Sequence, residues 1–130
     1  MVLIMNNINL GVDIVLVDRI NKILNSKKKS RFLNKIFSSS EISDSKNRQN
    51  QSEDFSGRFA AKEAIKKALS SYNETNMNET NMPSFKSLEI LNSESGKPYV
   101  LISSERQSNI NISIAHDGNY AIAFCVVNLD

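Results

Sequence analysis

Between residues 8 and 17 side-chain character alternates strictly. Ile8, Leu10, Val12, Ile14 and Leu16 fall on one face, and Asn9, Gly11, Asp13, Val15 and Val17 on the other. A period of two belongs to a strand, and the five large aliphatic residues predict that theirs is the buried face. Asp13 then projects from the less apolar face beside Gly11, which leaves room for a ligand to approach. Asp18 is placed to cap a short helix through Ile20, Ile23 and Leu24, which the Lys27–Lys29 run ends. Phe32, Leu33, Ile36 and Phe37 at helical spacing predict a second short helix over Arg31–Phe37. Ser38–Ser40 reads as a cap with Glu41 in the turn that follows, and the polar stretch 43–51 reads as a loop.

From Glu53 to Tyr72 strong helix formers run without a proline, which predicts one long helix. One arc of it holds Gly57, Ala61, Ala64, Ile65, Ala68, Leu69 and Tyr72, small enough in several places for another element to pack closely. The opposite arc carries Lys62, Glu63, Lys66 and Lys67 together with Phe55 and Phe59. Phenylalanines among charges predict that this side is covered too, by a ligand, another subunit or both. Residues 73–82 read Asn-Glu-Thr-Asn-Met twice, a low-complexity loop insertion. Beyond it the pattern returns to strands at Phe85–Leu91, Tyr99–Ile102 and 110–114, with a Ser95-Gly96 turn before the second. Asp117-Gly118 marks a hairpin into Tyr120, Ile122, Phe124 and Val126. The predicted class is α+β, an antiparallel sheet packed on one long helix with shorter helices.

A length of 130 residues fits one domain spanning 1–130. One cysteine, Cys125, leaves no intrachain disulfide framework, no run approaches the ~20 apolar residues of a membrane helix, and the start lacks signal-peptide features. A cytoplasmic protein follows as the expectation. The net charge of +2 is unevenly spread: residues 19–48 hold nine bases against two acids, a local +7 that leaves −5 for the remainder. Such a field draws an acidic protein, a nucleic acid or an anionic membrane, or is simply a solvated basic face.

Four pieces carry candidate chemistry: Asp13 on its strand, the basic helix segment Arg58–Lys67 with Glu63 inside it, Gly96-Lys97-Pro98, and the single histidine, His116, at a strand end. A strand carboxylate and a helix carboxylate among lysines suit a hard cation bound to a pyrophosphate. Each piece also has a plainer reading, since Glu63 and Lys67 are spaced as an ordinary helix ion pair. Taken together, however, the pieces resemble a family. Gly11-Val12-Asp13-Ile14 with Arg19-Ile20, then Phe55-Ser56-Gly57-Arg58-Phe59-Ala60-Ala61-Lys62-Glu63-Ala64, resemble the first strand and the helix motif of the holo-acyl-carrier-protein synthases. Gly96-Lys97-Pro98, and Ser113-Ile114-Ala115-His116 leading to Tyr120-Ala121, follow in that family's order and spacing. Arg31-Phe32-Leu33, Ile36-Phe37 and Glu41 resemble it as well.

The resemblance implies a phosphopantetheinyl transferase-like fold of the short trimeric bacterial type, with active sites between subunits of a homotrimer. It implies transfer of 4′-phosphopantetheine from coenzyme A to a serine of acyl carrier protein, with Mg²⁺, for fatty acid biosynthesis. Asp13 and Glu63 are then the metal ligands, and Lys67 assists the departing 3′,5′-ADP. Arg58, Lys62, Lys67, Lys97, Pro98 and His116 hold the coenzyme, and Arg19, Arg31 and Phe32 meet the carrier. Glu63, a water on the metal and a carboxylate of the partner all stay open as general base. The rivals are a basic nucleic-acid-binding module and an inactive carrier-binding homologue. Residues 19–48 lack the aromatic and basic interleaving of the first, and retention of Asp13, Glu63 and Lys67 speaks against the second, so neither nucleic acid nor membrane is expected as partner. The chain departs from the family at Asn9, where glycine is usual, and at Lys66, where a small or hydroxyl residue is usual. It also has Ser70-Ser71-Tyr72 and the repeat where the family has a glycine-containing loop.

Overall fold

The computed structural model describes residues 7–76 and 82–128, the side chains of 71–76 apart. In chain order the elements are β1 (Ile8–Leu16), α1 (Val17–Leu24), α2 (Lys29–Ile36), α3 (Ser39–Lys46), α4 (Gln51–Asn76), β2 (Leu88–Asn92), β3 (Pro98–Ile102), β4 (Glu105–Arg106), β5 (Ile110–Asp117) and β6 (Tyr120–Asn128). The class is α+β as expected, but the strands form two antiparallel sheets, ordered β1-β6-β5 and β2-β3-β4. β4 gave no sequence signal because its turn places Ser103 and Ser104, not glycine, at φ 50° and 70°. No described helix is long and apolar enough to cross a membrane.

The β1-β6-β5 sheet meets α4 through small residues. Ala60, Ala61, Ala64 and Ala68 of the helix are buried, as are Ala121, Ala123 and Cys125 of β6. A Cβ on Gly11 would stand 1.9 Å from the Ala64 carbonyl oxygen, so strand and helix backbones nearly touch. No large side chain fits between surfaces that close. The aliphatic face of β1 therefore points away from the helix: Leu10, Val12 and Ile14 are 56%, 50% and 58% exposed, beside Ile122 and Phe124 of β6. This reverses the burial expected from the alternation, and the space beside Asp13 at Gly11 is filled by α4 rather than left for a ligand.

On the other side of α4 the two phenylalanines are covered by the chain itself. Phe55 is buried with its ring 5.0 Å from that of Phe37, and Phe59 lies between Phe32 at 5.9 Å and Phe85 at 6.0 Å. α1 begins at Val17, and its first amides are capped from the β5–β6 turn rather than by Asp18: Val17 N–H donates to the Asn119 carbonyl at 2.9 Å and Asp18 N–H to Asn119 Oδ1 at 3.0 Å. α3 opens on a capping box in which Glu41 N–H donates to Ser38 Oγ and Ser38 N–H to Glu41 Oε1. That box carries the helix to Lys46, so residues 43–46 are helical where a loop was expected. Residues 85–87 turn before β2 begins. α4 extends through residue 76, taking in the backbone of 73–76 where a loop was expected, and residues 77–81 of the repeat lie outside the described residues.

Beneath α3 an ion pair closes the interior. Lys62 is fully buried, and its ammonium donates to Glu41 Oε1 at 2.6 Å, to the Ile36 carbonyl at 2.8 Å and to the Phe85 carbonyl at 2.8 Å. All three of its protons are used, which removes Lys62 from the coenzyme-binding residues expected of it. Glu41, equally buried, also accepts from Ile90 N–H at 2.9 Å. Desolvation pushes the Glu41 carboxyl up and the Lys62 ammonium down, and their mutual attraction opposes both shifts.

Lys62→Met should cost about 3–5 kcal/mol, because it strands a buried carboxylate. Adding Glu41→Gln should recover part of that loss in urea unfolding. Strictly additive losses would show that the two groups do not act as a pair. A carboxyl whose folded pKa is raised binds its proton more readily folded than unfolded, so stability falls as pH rises through that window. The deficit of Lys62→Met relative to the parent should therefore shrink as pH is lowered.

Candidate active site

α4 is the element from which the site is read. On the side facing β1, the Lys67 ammonium lies 3.0 Å from Asp13 Oδ1 and 3.0 Å from the Val12 carbonyl oxygen. Glu63 stands one turn earlier on the same face, half-buried, so a strand carboxylate and a helix carboxylate flank one exposed lysine. Among the described residues no group of three or more His, Cys, Asp or Glu is gathered for a metal. Two carboxylates at a solvent edge are a donor set that suits Mg²⁺, which takes one or two carboxylates and completes its shell with phosphate oxygens and water.

A second group lies across the helix. A cleft of about 410 Å³ opens between α4, β2, β3 and β5, lined by Gly57, Arg58, Lys97, Pro98, Ser113 and His116 among others. Gly96, at φ +87°, makes the turn that presents Lys97 and Pro98 at its lip. His116 is held against the start of α4: Nε2 lies 3.0 Å from the Glu53 carbonyl oxygen, to which it donates, and Nδ1 lies 3.8 Å from the Glu53 carboxylate. The ring sits where Gly57 lacks a side chain, since a Cβ there would approach His116 Nε2 to 2.9 Å. Arg58 forms the cleft's floor and is 3% exposed. Its Nε donates to Asp54 Oδ2 at 3.0 Å, its Nη1 to the Ile90 carbonyl, and its Nη2 lies 3.7 Å from Asp44 Oδ2.

The expected metal and coenzyme residues other than Lys62 therefore form two groups in one chain. Gly57 and Glu63 are separated by about 9 Å along α4 and about 120° around it. Asp54 was missed although its spacing of four from Arg58 is legible on a helix, whereas Glu53 had no local signal, since its contact with His116 spans 63 residues. Of the basic segment, all nine cations are exposed. Its two acids are drawn toward α4, Glu41 by Lys62 and Asp44 by Arg58. A groove of about 410 Å³ crosses this surface, lined by Ile23, Lys28, Arg31, Phe32 and Lys35, and Arg19 is exposed on α1. A wider polar hollow of about 630 Å³ between α1 and the start of α4 holds none of the expected residues. Its amides and hydroxyls bond one another, Ser52 Oγ to Asn21 Oδ1 at 2.7 Å among them.

The family model for the 4′-phosphopantetheinyl transferase superfamily matches residues 9–125. The holo-[acyl-carrier-protein] synthase of Fusobacterium nucleatum is 37% identical, with 92% of this chain and 98% of the relative covered. That of Thermodesulfovibrio yellowstonii is 41% identical over 90% and 95% of the two chains. The Bacillus anthracis holo-(acyl-carrier-protein) synthase, solved in complex with CoA (3′,5′-ADP), aligns with a TM-score of 0.72 and 28% identity over 94% of this chain and 96% of its own. The Helicobacter pylori enzyme, solved in complex with coenzyme A, aligns at 0.69 with 32% identity over 92% and 99%. On sequence and fold together, this chain belongs to the 4′-phosphopantetheinyl transferase superfamily and, within it, to the holo-[acyl-carrier-protein] synthases.

Proposed function

We propose that the chain transfers 4′-phosphopantetheine from coenzyme A to a serine of apo-acyl carrier protein, releasing 3′,5′-ADP, in the cytosol and in the service of fatty acid synthesis. The observation that carries this reading is the Asp13–Lys67 ion pair beside Glu63, on the helix motif shared with the family. Asp13 and Glu63 would hold Mg²⁺ on the pyrophosphate, where the ion supplies Lewis acidity and a template for in-line attack. Lys67 is exposed enough to lean from Asp13 to a phosphate oxygen and to neutralise charge on the departing nucleotide. Arg58, Lys97, Pro98 and His116 line a cleft of a size suited to the nucleotide end of the coenzyme. Phosphoryl transfer asks the protein chiefly to position groups and stabilise charge, and these two groups divide that work.

Two groups on different sides of α4 do not make one site within one chain. The outer face of β1 and β6, with Leu10, Val12, Ile14, Ile122 and Phe124 exposed, is a continuous apolar surface of the kind that marks an interface. A homotrimer packed on that face, in which one copy's carboxylates meet its neighbour's cleft, accounts for both features. The basic segment would receive the acidic carrier, with Arg31 and Phe32 lining its groove and Arg19 exposed nearby in sequence on α1.

Asp13→Asn and Glu63→Gln should each lower turnover about 10²–10³-fold with folding intact, the loss typical of one preorganised electrostatic partner. The mass gain of the carrier reports transfer, and near-parental turnover at low Mg²⁺ would refute the metal assignment. Ile14→Glu with Phe124→Glu should yield a folded monomer in sedimentation that is nearly inactive, whereas an unchanged trimer, or an active monomer, would refute the shared site. Reversing Arg19 and Arg31 together to Glu should raise the KM for carrier several-fold and leave coenzyme A binding nearly intact. Salt should blunt the parental advantage, as the Debye length shortens from ~10 Å at 0.1 M to ~3 Å at 1 M. Equal damage to both substrates would move these arginines to the nucleotide, and RNA binding lost in the same variant would favour the nucleic-acid reading.

A further inference from the structure

On α4, Glu63 stands between two lysines that lean opposite ways. At 100° per residue, Lys67 is turned about 40° to one side of Glu63 and Lys66 about 60° to the other. Lys67 reaches β1, at the Val12 carbonyl and Asp13. Lys66 reaches the segment ahead of β2: its ammonium donates to the Pro83 carbonyl at 3.1 Å and lies 4.1 Å from the centroid of the Phe85 ring. One turn earlier Lys62 donates to the Phe85 carbonyl from within the core. Glu63 thus lies between β1 on one side and Pro83–Phe85 on the other, with a lysine tying each of these walls to the helix.

The walls differ in chemistry. On the β1 side stand the Asp13 carboxylate and the Lys67 ammonium that bonds it. The other wall presents a pyrrolidine ring and an aromatic ring, both half-buried, with Phe59 packed behind Phe85 at 6.0 Å. The proposed substrate is divided the same way. Its pyrophosphate is charged, while the pantetheine arm that leaves that pyrophosphate is uncharged and begins with a methylene followed by a carbon bearing two methyl groups. An arm of that kind gains by lying on apolar surface and loses by desolvating a fixed charge.

We infer that Pro83 and Phe85 form the surface on which the pantetheine arm lies as it passes Glu63, and that Lys66 is the positioning residue holding that surface against α4. This rests on the coenzyme A reading above and deepens it. The Lys66 ammonium is engaged by a carbonyl and a ring, a cation–π geometry that an arginine also satisfies. Its place in the site is to fix a wall, not to bind a phosphate.

The test compares calorimetric binding of coenzyme A with that of adenosine 3′-phosphate 5′-diphosphate, which keeps both phosphates of the pyrophosphate and lacks the arm. Lys66→Met, which keeps the stem and removes the ammonium, should weaken coenzyme A about tenfold and shift the armless nucleotide less than about twofold. Lys66→Arg should restore coenzyme A binding. Phe85→Leu should show the same split between the two ligands, and urea midpoints confirm that each variant is folded. Equal weakening of both ligands, or no change in either, would overturn the assignment of the wall. Failure of the parent protein to bind either ligand would instead overturn the coenzyme A reading on which the inference stands.

Discussion

Everything in this molecule depends on how closely α4 lies on the β1-β6-β5 sheet. At Gly11 the two backbones approach until even one methyl group would stand 1.9 Å from a carbonyl oxygen. Alanines on the helix and Ala121, Ala123 and Cys125 on β6 extend the same close contact along the sheet. The contact holds Asp13 within reach of Lys67, and at the far end Gly57 lets His116 seat on the first turns of the helix. It also expels the large aliphatic residues of β1 and β6 to the opposite face of the sheet. Site geometry and the apolar outer surface are thus two results of one packing constraint.

The remaining faces of α4 are divided by what each lysine meets. Lys62 is committed to the interior, where a buried ion pair with Glu41 joins α3, the end of α2 and the approach to β2. Such a pair adds little net stability over an apolar replacement, but breaking it is costly, so it favours one arrangement of these segments. Lys66 and Lys67, a turn further on, reach to either side of Glu63. Three lysines that look equivalent in the sequence thus meet three different surroundings: the interior, the segment ahead of β2, and Asp13 on β1.

The charge pattern of residues 19–48 sharpens on folding. Both acids of the segment turn toward cations of α4, and the nine bases remain at the surface, with Lys28, Arg31 and Lys35 lining the Phe32 groove. Burial of Cys125 against α4 pushes its thiol up to about 12, which keeps it protonated and inert at neutral pH.

By itself the sequence determined the long helix, the strands around Gly96 and Gly118, the capping box at Ser38 and the motifs that mark the family. These are local: helix propensity, turn glycines and a cap three residues wide are each contained in a few neighbouring positions. Alternation along β1 likewise established a strand, but a period of two says only that two faces differ, not which one meets the core. That choice was made by the partner helix, whose alanines accept a glycine and refuse an isoleucine. Tertiary structure alone also decided that Lys62 is spent on Glu41, because the pair is 21 residues apart in sequence and its third partner, the Phe85 carbonyl, lies 23 residues the other way. It decided, too, that the candidate residues of α4 part company: Arg58 and Glu63 stand in one motif, and the helical turn between them sends them to different sides.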